Sequence, residues 1–283
     1  MKLLSVRNLC KTYPRFALQN VSFALSTGTI TGFIGRNGAG KTTTLKALVN
    51  LVHPDEGEIA FFGRPFVENE LSVKQRIGFV SGGVHYYPAK KLRAITEVTR
   101  RFYDRWDESA YRDYLERFEL REDQTPKELS EGMKVKYALA LALSHNAELL
   151  ILDEPTSGLD PVSRDDLLDV FLTLVAERSV TILFSTHITS DLEKCADNIL
   201  YLQKGRLIGD APLDDFLRAY KVARWERDPR GLPYADRLIG CKRDRNAYSA
   251  LVRAADLPLP DTAVSDARLE DMMVHLDQEG GQA

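Results

Sequence analysis

The sequence contains 283 residues, of which 44% are hydrophobic and 28% charged, and its formal net charge is −3 at pH 7. This composition is typical of a folded globular protein and excludes disordered, collagen-like and low-complexity chains. Because proteins that bind bare phosphate backbone are usually strongly basic, nucleic acid is not expected as the main partner.

The cysteines and the hydropathy both favour a location inside the cell. Cys10, Cys195 and Cys241 lie far apart and form no CxxC pair, which suits a reducing cytosol better than a disulfide framework. The apolar run at the N-terminus is too short for a signal peptide. No stretch approaches the ~18 apolar residues that a membrane-spanning helix needs, so we expect a chain that does not cross a bilayer.

Short apolar runs alternate with helical patterns as far as about residue 220, which favours an α/β architecture. Two successive helices over 92–118 interrupt the alternation and indicate a helical insertion. The predicted strands are Leu3–Val6, Val21–Leu25, Thr29–Ile34, Glu58–Phe62, Ile77–Val80, Leu149–Leu152, Thr181–Ser185, Ile199–Gln203 and Arg206–Ile208. The predicted helices are Lys41–Leu51, Leu92–Trp106, Ser109–Phe118, Glu131–Ser144, Pro161–Glu177 and Thr189–Lys194.

The composition changes after Tyr220. The stretch RWERDPRGLPYADR (224–237) mixes charges with proline and glycine and reads as a linker or turn. Beyond it we predict a strand over Ala247–Val252 and a short helix over Asp266–Leu276, whose apolar residues have helical spacing. We therefore expect a small accessory α/β domain over 221–283.

The segment GRNGAGKT, from Gly35 to Thr42, fits the pattern GxxxxGK[ST] between a predicted strand and a predicted helix. Its glycines allow backbone N–H groups to curl around phosphate oxygens, and the helix that starts at Lys41 adds its positive dipole end. Lys41 is expected to reach the terminal phosphates, and the Thr42 hydroxyl to hold Mg²⁺. A glycine-rich turn that matches by chance is the alternative.

The segment LLILDEP, residues 149–155, combines a buried strand with two carboxylates at its carboxyl end, where open α/β sheets bind ligands. Asp153 is placed to hold Mg²⁺, and Glu154 to orient and polarise an attacking water. Many strands end in acidic residues, so this segment gains weight only because it follows a phosphate loop.

Three shorter features of the sequence are further candidates for a phosphate-binding site. In LSEGM (129–133), Ser130 is a natural N-cap and could open a second phosphate-binding helix, although a simply capped helix explains the pentapeptide as well. SGLD (157–160) follows Glu154 closely. His187 comes just after a predicted strand, at the sheet edge expected for Asp153.

The ordered set GRNGAGKT, LSEGM, LLILDEP, SGLD and STH, spread over residues 1 to about 220, resembles the nucleotide-binding subunit of ATP-binding cassette (ABC) transporters. The resemblance implies a P-loop NTPase fold with a RecA-like α/β core, an antiparallel β subdomain, a helical subdomain at about 85–145 and ATP and Mg²⁺ as ligands. It also implies roles for individual residues. Tyr13 would stack on adenine, and the phosphate loop would comprise Gly35, Arg36, Asn37, Gly38, Ala39, Gly40, Lys41, Thr42 and Thr43. Ser130 and Gly132 would bind the γ-phosphate held by another protomer, Asp160 would lie at the dimer contact, and His187 would sense the γ-phosphate.

One position departs from the family pattern. Gly82 stands where the family usually carries a glutamine that ligates Mg²⁺ and contacts the membrane partner. Either water completes the metal shell, or Ser81 or His85 substitutes, or coupling runs differently. The basic, aromatic segment Tyr86–Lys91 lies in a region that faces the membrane subunit in the family, although a solvated helix face is an equal alternative.

The resemblance is strongest to the ATPases that pair with ABC-2-type export permeases. It implies an ATPase that works as a head-to-tail dimer, with a second copy or a homologue, on the inner face of the cell membrane. A soluble ABC ATPase is the main alternative, but the chain shows neither a second cassette nor a long insertion. A P-loop kinase or GTPase would not need LSEGM or SGLD. An ATPase that senses or confers resistance beside a permease is not separable from an exporter. The cargo and the direction of transport are not encoded here.

Overall fold

The structure, a computed structural model, describes residues 2–81, 87–245, 247–260 and 262–279. Its strands, in chain order, are β1 (Lys2–Tyr13), β2 (Phe16–Ser26), β3 (Ile30–Ile34), β4 (Glu56–Phe61), β5 (Arg64–Pro65), β6 (Ile77–Ser81), β7 (Leu149–Asp153), β8 (Thr181–Ser185), β9 (Asn198–Gln203), β10 (Arg206–Pro212), β11 (Tyr220–Trp225), β12 (Ile239–Asp244), β13 (Ala247–Arg253) and β14 (Ala263–Asp266). Its α-helices are α1 (Lys41–Leu48), α2 (Phe66–Lys74), α3 (Leu92–Thr99), α4 (Glu108–Arg117), α5 (Glu131–Ser144), α6 (Pro161–Arg178), α7 (Thr189–Cys195), α8 (Leu213–Arg218) and α9 (Leu269–Glu279).

The central sheet has the strand order β10-β9-β3-β8-β7-β6, in which only β10 runs antiparallel to its neighbour. Strands β3, β7 and β8 are buried at every position. Continuous apolar strands of this kind belong to parallel sheets that are covered on both faces. The carboxyl ends of β3, β7 and β8 therefore meet at one edge, where the phosphate loop begins.

Two further layers cover this sheet. Strands β2, β1, β4 and β5 form an antiparallel sheet, which shares a hydrophobic cluster with β3 and α1. On the other side, α3, α4 and α5 form a helical layer around Tyr111 and Tyr137, whose hydroxyls both hydrogen-bond the buried Thr96 hydroxyl at 2.7 and 2.8 Å. These satisfied hydroxyls fix α3 against α4 and α5.

Residues after 219 form a third sheet, with the order β12-β13-β11-β14 and antiparallel pairing throughout. The terminal helix α9 packs beside it, with Leu269 and Met272 fully buried. Both residues belong to the same hydrophobic cluster as β3 and α5, so the C-terminal segment is continuous with the main core.

The structure confirms most predicted elements and corrects several others. Strands β5, β12 and β14 and helix α8 were not predicted, and the helix predicted over Asp266–Leu276 is α9, which begins only at Leu269 because Asp266 already belongs to β14. Helix α2 was not predicted, because Val67 and Leu71 lie on its exposed face and obscure the helical periodicity. The helix predicted over Leu92–Trp106 ends at Thr99 and continues as a 3-10 turn over Arg100–Phe102. The stretch 224–237 is not simply a linker, since it begins in β11 and continues through two 3-10 turns.

Across the residues that the structure describes, we find no helix with both the length and the apolar character required to cross a lipid bilayer.

A buried histidine makes the stability of the fold sensitive to acid. His145 follows α5, stacks on the Tyr103 ring at 3.7 Å between centroids and places Nδ1 3.2 Å from the Gln75 carbonyl. Burial lowers the pKa of His145 from 6.5 to about 4. Between those pH values the unfolded chain binds a proton that the folded chain does not, so the free energy of unfolding falls as the pH falls.

We therefore expect His145 to lower the free energy of unfolding by up to about 3 kcal/mol as the pH falls from 6.5 to 4. Urea unfolding of wild type and His145→Phe at pH 7 and pH 5 measures this decrease. The variant should lose less stability than wild type on acidification, whatever its stability at pH 7. The matched control is His53→Phe, which makes the same chemical change at an exposed position. Equal pH dependence in wild type and His145→Phe would contradict the prediction.

Candidate nucleotide site

The phosphate loop connects β3 to α1 and depends on two glycines. A Cβ on Gly35 (φ 150°) would lie 2.2 Å from the Leu202 carbonyl oxygen, and one on Gly40 (φ 111°) would lie 2.5 Å from the Phe16 ring. Both positions combine a left-handed backbone with a close approach, which only glycine tolerates. The loop is thus pressed against β9 on one side and against Phe16 on the other.

Lys41, Glu154 and His187 meet at the sheet edge. The Lys41 ammonium is almost fully buried, donates to the Gly35 carbonyl at 2.7 Å and lies 3.4 Å from Glu154 Oε1. The other carboxylate oxygen of Glu154 lies 2.7 Å from His187 Nδ1. The carboxylate therefore sits between an ammonium and an imidazole.

The backbone of Glu154 is unusual. Its φ is 51°, in the left-handed region that glycine favours. Its N–H donates to both the carbonyl and the hydroxyl of Ser185, at 3.1 and 2.9 Å. Strand β8 thus holds Glu154 in a strained conformation, a feature that clusters at functional sites.

Asp153, the residue before Glu154, lies next to Thr42, the residue after Lys41. Thr42 Oγ1 donates to Asp153 Oδ1 at 3.1 Å, and Ser185 Oγ donates to the same oxygen at 2.7 Å. A hydroxyl and a carboxylate are the hard oxygen donors that Mg²⁺ prefers. The two residues predicted as metal ligands are neighbours in the fold, and their chemistry fits the ion.

A cavity of about 460 Å³ opens over the loop. Its lining residues are Phe16, Arg36, Asn37, Gly38, Gly40, Lys41, Thr42, Thr43, Glu154, Ser157 and His187. Most of the predicted loop residues therefore border one space with Glu154 and His187. Phe16 was not singled out from the sequence, and Ser157 was noted only as the first residue of SGLD, without a role of its own. The predicted Tyr13 lies beside this space, since it pairs with Phe16 at the β1–β2 turn, with ring centroids 6.4 Å apart.

The remaining predicted residues, Ser130, Gly132 and Asp160, form a second cluster together with Ser163, which was not predicted. Ser130 is the N-cap of α5 and accepts from the Met133 N–H at 3.2 Å. A Cβ on Gly132 would lie 3.6 Å from the Ser163 Cβ. Asp160 is the N-cap of α6 and accepts from the Ser163 hydroxyl at 2.6 Å. Among the described residues, none of this cluster lines the cavity over the phosphate loop.

Two carboxylates near the sites have displaced pKa values. The Ser163 hydroxyl and backbone N–H groups hold the pKa of Asp160 below its usual value. Burial raises the pKa of Asp191, an effect that the Thr156 hydroxyl and Arg164 offset in part. Arg164 also donates to the Leu159 carbonyl at 3.3 Å, so it links the SGLD loop to α7.

The sequence alone left two questions about the carboxyl ends of β8 and β6. The hydroxyl of Ser185, within STH, organises Asp153 and Glu154, and only its position in that triplet signals it. Gly82 and His85, the positions that raised the question of the missing glutamine, lie outside the described residues. Ser81 is described, and it pairs with Asp153 across β6 and β7.

Comparison with known proteins identifies the family. The ABC transporter family matches residues 18–157. The bacitracin transport ATP-binding protein BcrA of Bacillus licheniformis is 34% identical over 216 residues, which cover 75% of this chain and 70% of that protein. A Nod factor export ATP-binding protein I of Burkholderia orbicola (strain AU 1054) is 35% identical, over 73% of this chain and 70% of that protein.

A solved structure of the ATP-binding subunit of an ABC transporter is 30% identical, with a TM-score of 0.68, and the match covers 76% of this chain and 92% of that one. This similarity confirms the predicted P-loop fold, with its α/β core and antiparallel sheet. The chain therefore belongs to the ABC transporter family, as one of its ATP-binding, ATP-hydrolysing subunits.

Proposed function

We propose that this chain hydrolyses ATP as part of a head-to-tail dimer and thereby drives an export permease of the ABC-2 type from the inner face of the cell membrane. The observation that carries the proposal is the arrangement of Glu154 between Lys41 and His187 on the cavity, together with a second cluster that does not reach it. The relatives' names, which refer to bacitracin transport and Nod factor export, favour a permease over the soluble alternative.

The chemistry follows from the groups around the cavity. Glu154 accepts a hydrogen bond from the attacking water and orients it toward the γ-phosphorus of ATP, so that ADP and phosphate are formed. Lys41, the N–H groups of the loop and the start of α1 stabilise the charge on the phosphate oxygens. His187 donates to the γ-phosphate.

Thr42 and Asp153 would hold Mg²⁺, which neutralises charge on the β- and γ-phosphates when bound. Their contact with each other and with Ser185 keeps both oxygens at the sheet edge.

The second cluster supports a dimer. Ser130 and Gly132 lie at the N-terminus of α5, where free N–H groups favour an anion, beside Asp160 at the start of α6. A head-to-tail partner would place its own second cluster against the γ-phosphate of this chain, and the same geometry would complete the reciprocal site.

The permease is proposed to dock on a groove of about 340 Å³ in the helical layer, lined by Tyr87, Lys90, Ala94, Ile95, Val98 and Thr99. Val98 is 55% exposed, and the nearby Phe102 is also exposed. Exposed apolar side chains beside the basic Lys90 fit a short helix from a membrane protein.

Purification of the tagged chain from detergent-solubilised membranes tests both the association with a permease and the use of this groove as its docking site. We expect a multi-span protein to co-purify in stoichiometric amount with wild type, and Val98→Glu to lose it because a charge would be buried in the groove. Val67→Glu is the matched control, since Val67 is 90% exposed on α2 and lies outside the groove.

ATP hydrolysis by the isolated chain should be the same in both variants, which excludes misfolding. Recovery of wild type only in the soluble fraction, alone or with ribosomes, would contradict the permease. Equal recovery of the permease with both variants would contradict the groove.

A further inference from the structure

The terminal helix α9 is fixed at both ends to the core that carries the nucleotide site. At its start, the Leu269 N–H donates to Glu193 Oε1 at 2.7 Å. At its other end, Gln203 Nε2 of β9 donates to the Leu276 carbonyl at 2.8 Å. The buried His275 lies between these anchors, with Nδ1 2.7 Å from the Gly240 carbonyl. The position of residue 277 is therefore set by α7, β9 and β12.

Asp277 meets the phosphate loop at this point. Its Oδ2 lies 2.9 Å from Arg36 Nε, and its Oδ1 lies 3.4 Å from Gln203 Nε2. The Asp277 side chain is only 14% exposed, whereas that of Arg36 is 72% exposed. The carboxylate is thus held in place, and the guanidinium is the partner that is free to change its contact.

Arg36 belongs to the nucleotide cavity as well as to this ion pair. It follows Gly35 in the phosphate loop and lines the cavity over that loop. The strand that anchors α9 also touches the loop, since a Cβ on Gly35 would meet the Leu202 carbonyl of β9. One guanidinium is therefore shared between the C-terminal helix and the space that receives the phosphates.

We propose that Asp277 is a positioning residue that holds Arg36 against the C-terminal helix and competes with the phosphates of ATP for its guanidinium. The proposal rests on the proposed function, because it requires ATP on the phosphate loop. Arg36 is 72% exposed, and solvent screening at its end keeps the ion pair weak. A guanidinium binds phosphate oxygens through two parallel hydrogen bonds, so the phosphates can displace the carboxylate. ATP must then break the ion pair to gain Arg36, and residues after 220 lower the affinity for nucleotide.

The test is a double-mutant cycle in the full chain. The dissociation constant for ATP is measured by calorimetry in EDTA, where turnover does not occur because phosphoryl transfer needs the metal ion. Asp277→Asn should bind ATP about 3- to 10-fold more tightly than wild type, because Arg36 is released to the phosphates. In the Arg36→Gln background, Asp277→Asn should have no effect on the affinity.

Two controls separate this contact from a general change in α9. Glu270→Gln removes a carboxylate from the same helix, outside the contact with Arg36, and should leave the affinity unchanged. Asp277→Glu keeps the charge and should bind ATP with about the affinity of wild type. The thermal midpoint of each variant reports whether α9 is still docked.

Several results would overturn the proposal. Wild-type affinity in Asp277→Asn would mean that the carboxylate does not compete. A shift of the same size in the Arg36→Gln background would mean that Asp277 acts without the guanidinium. Absence of ATP binding in wild type would instead refute the proposed function, and the positioning role with it.

Discussion

Glu154→Gln is expected to lower the rate of ATP hydrolysis about 10²- to 10⁴-fold while ATP binding is retained. The amide keeps the size of the side chain and its hydrogen bond to His187. It is far less able to draw a proton from water, because an amide is not basic. The substitution also removes a negative charge from beside the γ-phosphate, which favours binding.

The same variant should accumulate as a dimer in the presence of ATP, because the γ-phosphate that joins the two chains is no longer lost. Gel filtration with ATP and with ADP measures this, together with phosphate release. Glu68→Gln makes the same chemical change on the exposed face of α2 and should behave as wild type. A Glu154→Gln chain that stays monomeric with ATP would contradict the shared site, and one that hydrolyses ATP normally would contradict the role of Glu154.

Lys41→Ala is expected to weaken ATP binding about 10- to 100-fold, which corresponds to the loss of one charge-assisted hydrogen bond of about 1.5 to 3 kcal/mol. Lys41 is nearly buried, and its ammonium lies between the loop carbonyl of Gly35 and the carboxylate of Glu154. Without it, Glu154 keeps its negative charge beside the phosphates with only His187 as a partner, so the remaining site repels the nucleotide.

Calorimetric titration with ATP and ADP measures this loss. Lys46→Ala is the matched control, because Lys46 lies in the last turn of α1, away from the cavity. Equal affinity of Lys41→Ala and wild type for ATP would contradict the role of this loop in binding phosphate. A loss in both variants would point to α1 as a whole instead.

Much of the fold could be predicted because its signals are local. Helix α5 has the predicted bounds, Glu131–Ser144, since Ser130 marks its start and a continuous apolar pattern follows. Strand β8 likewise has the predicted bounds. Helix α2 was missed because only Phe66 and Val73 of its residues are buried, too few for a visible stripe.

The residues of the site could be predicted where one segment carries several of them, and His187 from its place directly after a predicted strand. Gly35 to Thr42 and Asp153 to Glu154 are contiguous, and the sheet brings them together by its topology. Phe16 was missed because it reaches Gly40 through the packing of β2 on the loop, which no spacing reveals. The stacking role of Tyr13 remains a prediction.

The ion pair of Arg36 and Asp277 joins positions from the two ends of the chain. No local pattern predicts such a contact, since each residue looks like an ordinary surface charge within its own segment, although the Asp277 side chain is only 14% exposed. The same holds for Gln203, whose side chain anchors the last helix. Contacts of this kind depend on how α9 docks, which is decided by burial of Leu269 and Met272 rather than by charge.

The left-handed backbone of Glu154 lowers the stability of the fold at a residue that the proposed reaction requires. A side chain in that conformation costs about 1 to 2 kcal/mol, whereas glycine adopts it freely and asparagine tolerates it. Selection for thermal stability alone would therefore favour replacements that lack the carboxylate. Engineering that stabilises this ATPase must leave residue 154 out of its library if, as proposed, the Glu154 carboxylate orients the attacking water.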